Sequence, residues 1–266
     1  MTGVEGLLRQ DRWIVIIGLL LIVILSVLYT VFGVGMQMSA IEMTNSKSMP
    51  MMMPAQWTSG YFILVFFMWW VMMIAMMVPS ASPTVLLYTA LNRQMKDGKD
   101  VALKAALFLL GYLVVWAGFS FLATLLQWVL EFRSLASPVT MMVTSQYLGA
   151  GILLAAGIYQ FTPLKRACLN HCREPVRYLT ERRRVGRGGA FLMGAEHGVF
   201  CLGCCWFLMA LLFFGGIMNL YWIAGLAVFV LFEKLVPQGH WVGYGGGLAL
   251  IGTGGYILNY NFSSMG

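Results

Sequence analysis

The chain has 266 residues, of which 60% are apolar and only 10% charged, with a mean hydropathy of +0.79 and a formal net charge of +7. This composition excludes an ordinary soluble domain and describes an all-α polytopic membrane protein. In that setting the basic excess records which loops face the cytoplasm, and no basic-aromatic motif for nucleic acid is present.

The first span is expected from Trp13 to Val34, behind Arg9, Asp11 and Arg12. It is too long for a signal-peptide core and lacks a convincing cleavage site, so it reads as a retained helix. The loop that follows, roughly 35–58, carries Met36, Met38, Met43, Met49, Met51, Met52 and Met53, with Pro50 and Pro54 breaking any long regular helix. Thioether is a soft ligand that survives an oxidising compartment, which suits capture of copper ions. The same methionines equally suit an adaptable docking surface.

A second span, about Gly60 to Val78, places Met68, Met72 and Met76 on one helical stripe and Met73 and Met77 on a neighbouring one. Pro79 and Pro83 should kink it, with residues 84–95 continuing toward or beyond the cytoplasmic surface. Arg93, Lys96, Lys99 and Lys104 mark an internal loop before a third span, Ala105 to Leu130. The fourth, Gln146 to Thr162, leads to the most basic loop, with Arg173, Arg177, Arg182, Arg183, Arg184 and Arg187. A fifth runs from Ala190 to Phe214, a sixth from the Gly215-Gly216 turn to Glu233 and Lys234, and a glycine-rich last one from Trp241 to Tyr260 beyond Pro237. Gly243 and Gly247 there would let another helix approach closely. The expectation is about seven transmembrane helices, six if the last segment does not cross, with a cytoplasmic N-terminus. Only Lys47 and Arg133 of the 17 Lys plus Arg then lie outside. Three regions result: 1–58, the first helix and Met-rich external loop; 59–236, the helical membrane core; and 237–266, the last helix and tail.

All five cysteines and two of three histidines fall between Cys168 and Cys205. Cys168, His171 and Cys172 share one helical face; His197, Cys201, Cys204 and Cys205 share another. Thiolate and imidazole select Cu(I), zinc or iron–sulfur chemistry over magnesium or calcium. Any single cysteine in so apolar a chain would pass for a small core residue, and the clustering argues for a metal or redox site. From a start near Ala190, the helical rise puts His197, Cys201 and Cys205 roughly 10, 16 and 22 Å deep. The descending second span should bring Met76 and Met77 to the depth of His197, Met72 and Met73 to Cys201, and Met68 to Cys204 and Cys205. That alignment offers a continuous route for a soft cation. Cys168, Cys172, His197 and Cys201 are the expected shared ligands, His171 is a second imidazole candidate, and Cys204 and Cys205 are a deeper position. Glu196, an acid within the apolar run, is either a partner that orients His197 or half of an interfacial ion pair with Arg184 or Arg187.

Three motifs carry a resemblance. They are Trp70-Val-Met-Met-Ile-Ala-Met-Met-Val-Pro79-Ser80, Tyr159-Gln-Phe-Thr-Pro163-Leu-Lys-Arg-Ala-Cys168-Leu-Asn-His171-Cys172, and Gly194-Ala-Glu-His197-Gly-Val-Phe-Cys201-Leu-Gly-Cys204-Cys205-Trp206. Over roughly Tyr61 to Lys234 the chain resembles the bacterial family of predicted metal-binding integral membrane proteins known as domain of unknown function 2182. The resemblance implies a multi-span protein of the bacterial inner membrane that binds metal, with no settled activity.

The reading is a membrane protein that handles Cu(I) by transport, storage or delivery, acting alone or as an accessory subunit of a larger membrane metalloenzyme. Zinc is the second metal considered; thioethers, which zinc rarely uses, favour copper. The alternative is a thiol–disulfide or electron carrier using Cys168 and Cys172 with Cys201, Cys204 and Cys205, though no CxxC sits at a helix N-terminus where a thiolate would be activated. No nucleophile–base arrangement, Walker loop or dinucleotide fingerprint points to an enzyme.

Overall fold

A computed structural model describes residues 3–35, 39–45, 56–93, 100–138 and 140–263. Of the loop methionines only Met43 falls within them, so the Met-rich loop as a candidate copper-capture segment lies outside the described residues. Eleven helices occur among the described residues: α1 (Gly3–Phe32), α2 (Ala40–Asn45), α3 (Ser59–Arg93), α4 (Val101–Phe132), α5 (Gln146–Tyr159), α6 (Pro163–Arg173), α7 (Pro175–Glu181), α8 (Gly186–Ala210), α9 (Leu212–Gly215), α10 (Leu220–Leu235) and α11 (Gly239–Ser263). The α1, α3 and α4 helices, and α8 together with α9, are long and apolar enough to cross a bilayer; α5 and α6, bent by 63° at their joint, make a fifth candidate. The apolar side chains of Leu20, Ile24 and Leu25 are left exposed on α1, a surface apolar enough to face lipid.

Local sequence explains the breaks. The α5 helix starts at Ser145, whose hydroxyl accepts from the Leu148 N–H, and α6 starts at Thr162, which accepts from Lys165 N–H ahead of Pro163 at the first helical position. Pro163 thus ends one helix and begins the next. The α3 helix behaves differently. Pro79 and Pro83 lie inside it without ending it, and the hydroxyls of Ser80 and Ser82 donate to the Met77 and Val78 carbonyls at 2.9 and 2.8 Å. Both hydroxyls thus find their acceptors within the helix, as polar groups in an apolar medium must.

The α8 helix lies at the centre and packs most extensively on α4. Gly194 makes this possible, because a Cβ there would run into the Phe108 backbone, and Gly198 faces the Tyr112 carbonyl in the same way. The expected close approach at Gly247 is present: it sits against Gly157 and Gln160 of α5. Gly243 faces the Glu233 carboxylate of α10.

Two polar networks are buried among these helices. Trp69 Nε1 donates to Gln127 at 2.8 Å, Gln127 donates to Glu131 at 2.8 Å, and Trp57 Nε1 donates to the other Glu131 oxygen at 2.8 Å, pinning the segment before α3 to the end of α4. At the opposite end, Lys165 of α6 pairs with Glu233 of α10 at 2.6 Å and also bonds Gln160. All three side chains are almost fully buried, so α10 is tied to the α5–α6 joint through an ion pair rather than through apolar contact alone.

Candidate metal centre

The α8 helix presents His197, Cys201, Cys204 and Cys205 on its inward face, each 2% exposed or less. Bending at Pro163 lays α6 across α8, bringing Cys168, His171 and Cys172 to it. The thiol of Cys172 lies against those of Cys201 and Cys204, while Cys201 also neighbours Cys205. Cys204 and Cys205 turn back on their own helix, donating to the Cys201 carbonyl at 3.0 Å each. All five cysteines are free thiols. Cys168 is the outlier: its sulfur rests over Gly203, which has no side chain to displace it.

The α3 helix meets this cluster through Met77, whose Sδ is 3.9 Å from Cys205 Sγ. This changes the expected register, in which Met77 met His197. As one helix from Ser59 through both prolines to Arg93, α3 has Met77 near its middle, level with the deeper thiols. Met68, Met72, Met73 and Met76 are buried in the core. Tyr112 of α4 joins the cluster with its hydroxyl 3.1 Å from Cys201 Sγ, and donates to the Met77 carbonyl at 3.3 Å.

Sequence reasoning missed Lys234 as a member of the site. Its ammonium, at the end of α10, donates to Cys201 Sγ at 2.9 Å and to Ser80 Oγ at 3.2 Å. The available signal was a lysine beside an acid at the end of an apolar run, read only as a marker of membrane sidedness.

The imidazoles sit on the basic-loop side of the thiols. His197 is enclosed by the rings of Tyr112, Tyr178 and Phe108, centred 5.8, 6.1 and 6.1 Å away, and its Nδ1 is buried without a hydrogen-bond partner. His171 stacks on Phe200 at 3.7 Å and lies tilted against Tyr178 at 4.3 Å, and its Nε2 is likewise unpartnered. Burial, reinforced by the Glu196 charge, holds the Tyr178 phenol well above its ordinary pKa; its hydroxyl donates to the Met193 carbonyl at 2.5 Å. A polar cleft of about 220 Å³ over His171, lined also by Asn170, Glu174 and Arg182, opens toward the surface. Glu196 pairs with Arg182 and, at 3.6 Å, with Arg184; Arg187 pairs instead with Asp100 at 2.7 Å. The acid therefore points to the basic loop. His240 lies apart on α11, beside Trp241 and Tyr244.

Among the described residues, no three His, Cys, Asp or Glu side chains are arranged, as they stand, to hold one ion. Adjacent thiols, a neighbouring thioether and unpartnered imidazole nitrogens nevertheless form a soft donor set, suited to low-coordinate binding of a soft cation more than to the closed tetrahedron of structural zinc. Residues 66–257 match the model of a family, PpoB2, described as copper chaperone. No curated protein and no solved structure matches the chain.

Proposed function

Because the chain belongs to the PpoB2 copper chaperone family, matched over residues 66–257, we propose that it carries Cu(I) as cargo within the bilayer and delivers it to a membrane-bound metalloenzyme. The observation that carries this reading is the packing of α6, which bears Cys172, on the cysteine face of α8, beside Met77 of α3, whose Sδ is 3.9 Å from Cys205 Sγ. Two thiols from different helices can hold a linear Cu(I), and the residual donors allow exchange without free ion entering the lipid. Cys172 and Cys201 are the primary pair; Cys204 and Cys205 are the inner continuation, and His197 and His171 lead to the cleft at the basic surface. Each thiol that becomes a ligand gives its proton to solvent.

The protein in this reading is a seven-span protein of the bacterial inner membrane with a cytoplasmic N-terminus, α10 and α11 supplying the last two crossings. The α10 helix has 16 residues, about 24 Å at the helical rise, short for a bilayer crossing but close to its core thickness with flanking residues included. The test is metal content of the purified protein, loaded with Cu(I) under reducing conditions. The wild type should retain copper after desalting and Cys201→Ser should lose most of it. A well-folded wild type that retains none would defeat the proposal.

A further inference from the structure

Lys234 is 7% exposed, and among the described residues no carboxylate lies within ion-pair distance of it. The adjacent Glu233 is turned away and held by Lys165 at 2.6 Å. Its ammonium instead donates to Cys201 Sγ at 2.9 Å and to Ser80 Oγ at 3.2 Å, beside the cysteine cluster. A buried ammonium is expensive unless it is paired, so a lysine kept here in place of a neutral side chain needs a partner that carries charge when the site works.

Charge counting identifies that partner. Cu(I) bound by two thiolates carries a net charge of −1, which a low-dielectric site tolerates poorly. Zinc bound by two thiolates is neutral. Among the described residues no three His, Cys, Asp or Glu side chains are grouped to hold one ion, so two thiolates are the count taken. With one fixed ammonium added, the copper complex becomes neutral and the zinc complex becomes a buried cation.

Resting on the copper reading above, we propose that Lys234 is the counter-cation of the metal–thiolate complex and sets the preference of the site for a monovalent over a divalent soft ion. Ser80 Oγ, 3.2 Å from Nζ, holds the ammonium beside the sulfur cluster, so the metal can seat against Cys201 while Lys234 remains in reach. Lys234 does not bind metal; it acts through the charge of the ligands it faces.

The test compares the full-length wild type with Lys234→Leu and Lys234→Arg, in detergent or nanodiscs, by competition against a chromogenic Cu(I) chelator and, separately, a Zn(II) chelator; leucine removes the charge without adding a sulfur ligand. Lys234→Leu should weaken Cu(I) about 10-fold or more, as the loss of other groups behind metal ligands does, while Zn(II) binding stays level or tightens. Lys234→Arg should keep the wild-type order of preference. Equal loss of both metals in Lys234→Leu marks a structural role and overturns the inference, as does unchanged Cu(I) binding. If Lys234→Leu does not fold, Lys234→Gln, which can still bond Ser80, is measured in the same way. A wild type that binds no Cu(I) defeats the copper reading and this inference together, whereas normal wild-type binding with an unaltered preference in the variants defeats the inference alone.

Discussion

Cys201 is the residue on which most of the site converges: it neighbours the thiols of Cys172, Cys204 and Cys205 as well as Tyr112 and Lys234. Cys168 has a sequence position as promising as that of Cys172, yet its sulfur is parked over Gly203. Cys172→Ser and Cys201→Ser should therefore each remove most bound copper, Cys168→Ser substantially less, and His240→Ala none, measured as metal per protein after desalting. Equal losses from Cys168→Ser and Cys172→Ser would mean that α6 rotates on loading. Glu196 gives a sharper contrast. Its two partners are half-exposed arginines, so Glu196→Gln should leave copper retention within about twofold and cost less than about 1 kcal/mol in stability, as exposed ion pairs do. A drop of 10-fold or more in retention would restore it as the partner of His197.

At the scale of elements, the site depends on how closely α8 can approach α4. Gly194 is pressed on the Phe108 backbone, which cannot yield as a flexible side chain would. Gly194→Leu should lower stability by about 3 kcal/mol or prevent folding, the upper range for overpacking. Gly118→Ala, on α4 where an added methyl meets nothing within 4 Å, should be neutral or gain up to about 1 kcal/mol from helix propensity. Thermal unfolding of the two variants in the same detergent checks the contrast, and similar melting temperatures would argue against close α4–α8 packing. The register of α3 is also decided here. Two prolines predict a kink with residues 84–95 continuing the helix; α3 does run on through them to Arg93, and its register brings Met77 to the thiols.

For the whole molecule, the buried Lys165–Glu233 pair and the Lys234–Cys201 contact place consecutive residues of α10 in two different networks. One fastens α10 to the α5–α6 joint and the other fastens it to α8. In the seven-span proposal, orientation is argued from charge. With the Arg-rich segment from Arg173 to Arg187 inside, an odd number of crossings sends the C-terminus out. A reporter fused after residue 266 and active only in the cytoplasm should be silent, and one active only outside should report; the reverse result would leave an even number of crossings.

Composition alone pointed to spans apolar enough for a bilayer, because so many apolar residues with so few charges are unlike an ordinary soluble domain, and the described residues supply four such helices, or five with the bent pair. Helical periodicity likewise grouped the cysteines and histidines on two faces, since side chains three and four positions apart share a face in any helix. Which of them meet was not legible. That depends on a 63° bend at Pro163, on helix contact through Gly194, and on the continuation of α3 through Pro79 and Pro83, none of which has a local signal strong enough to fix depth or rotation. Lys234 was hidden for the same reason: a lysine at the end of an apolar run normally reaches for the headgroups, and only the packing of α10 against α3 and α8 turns it inward to Cys201.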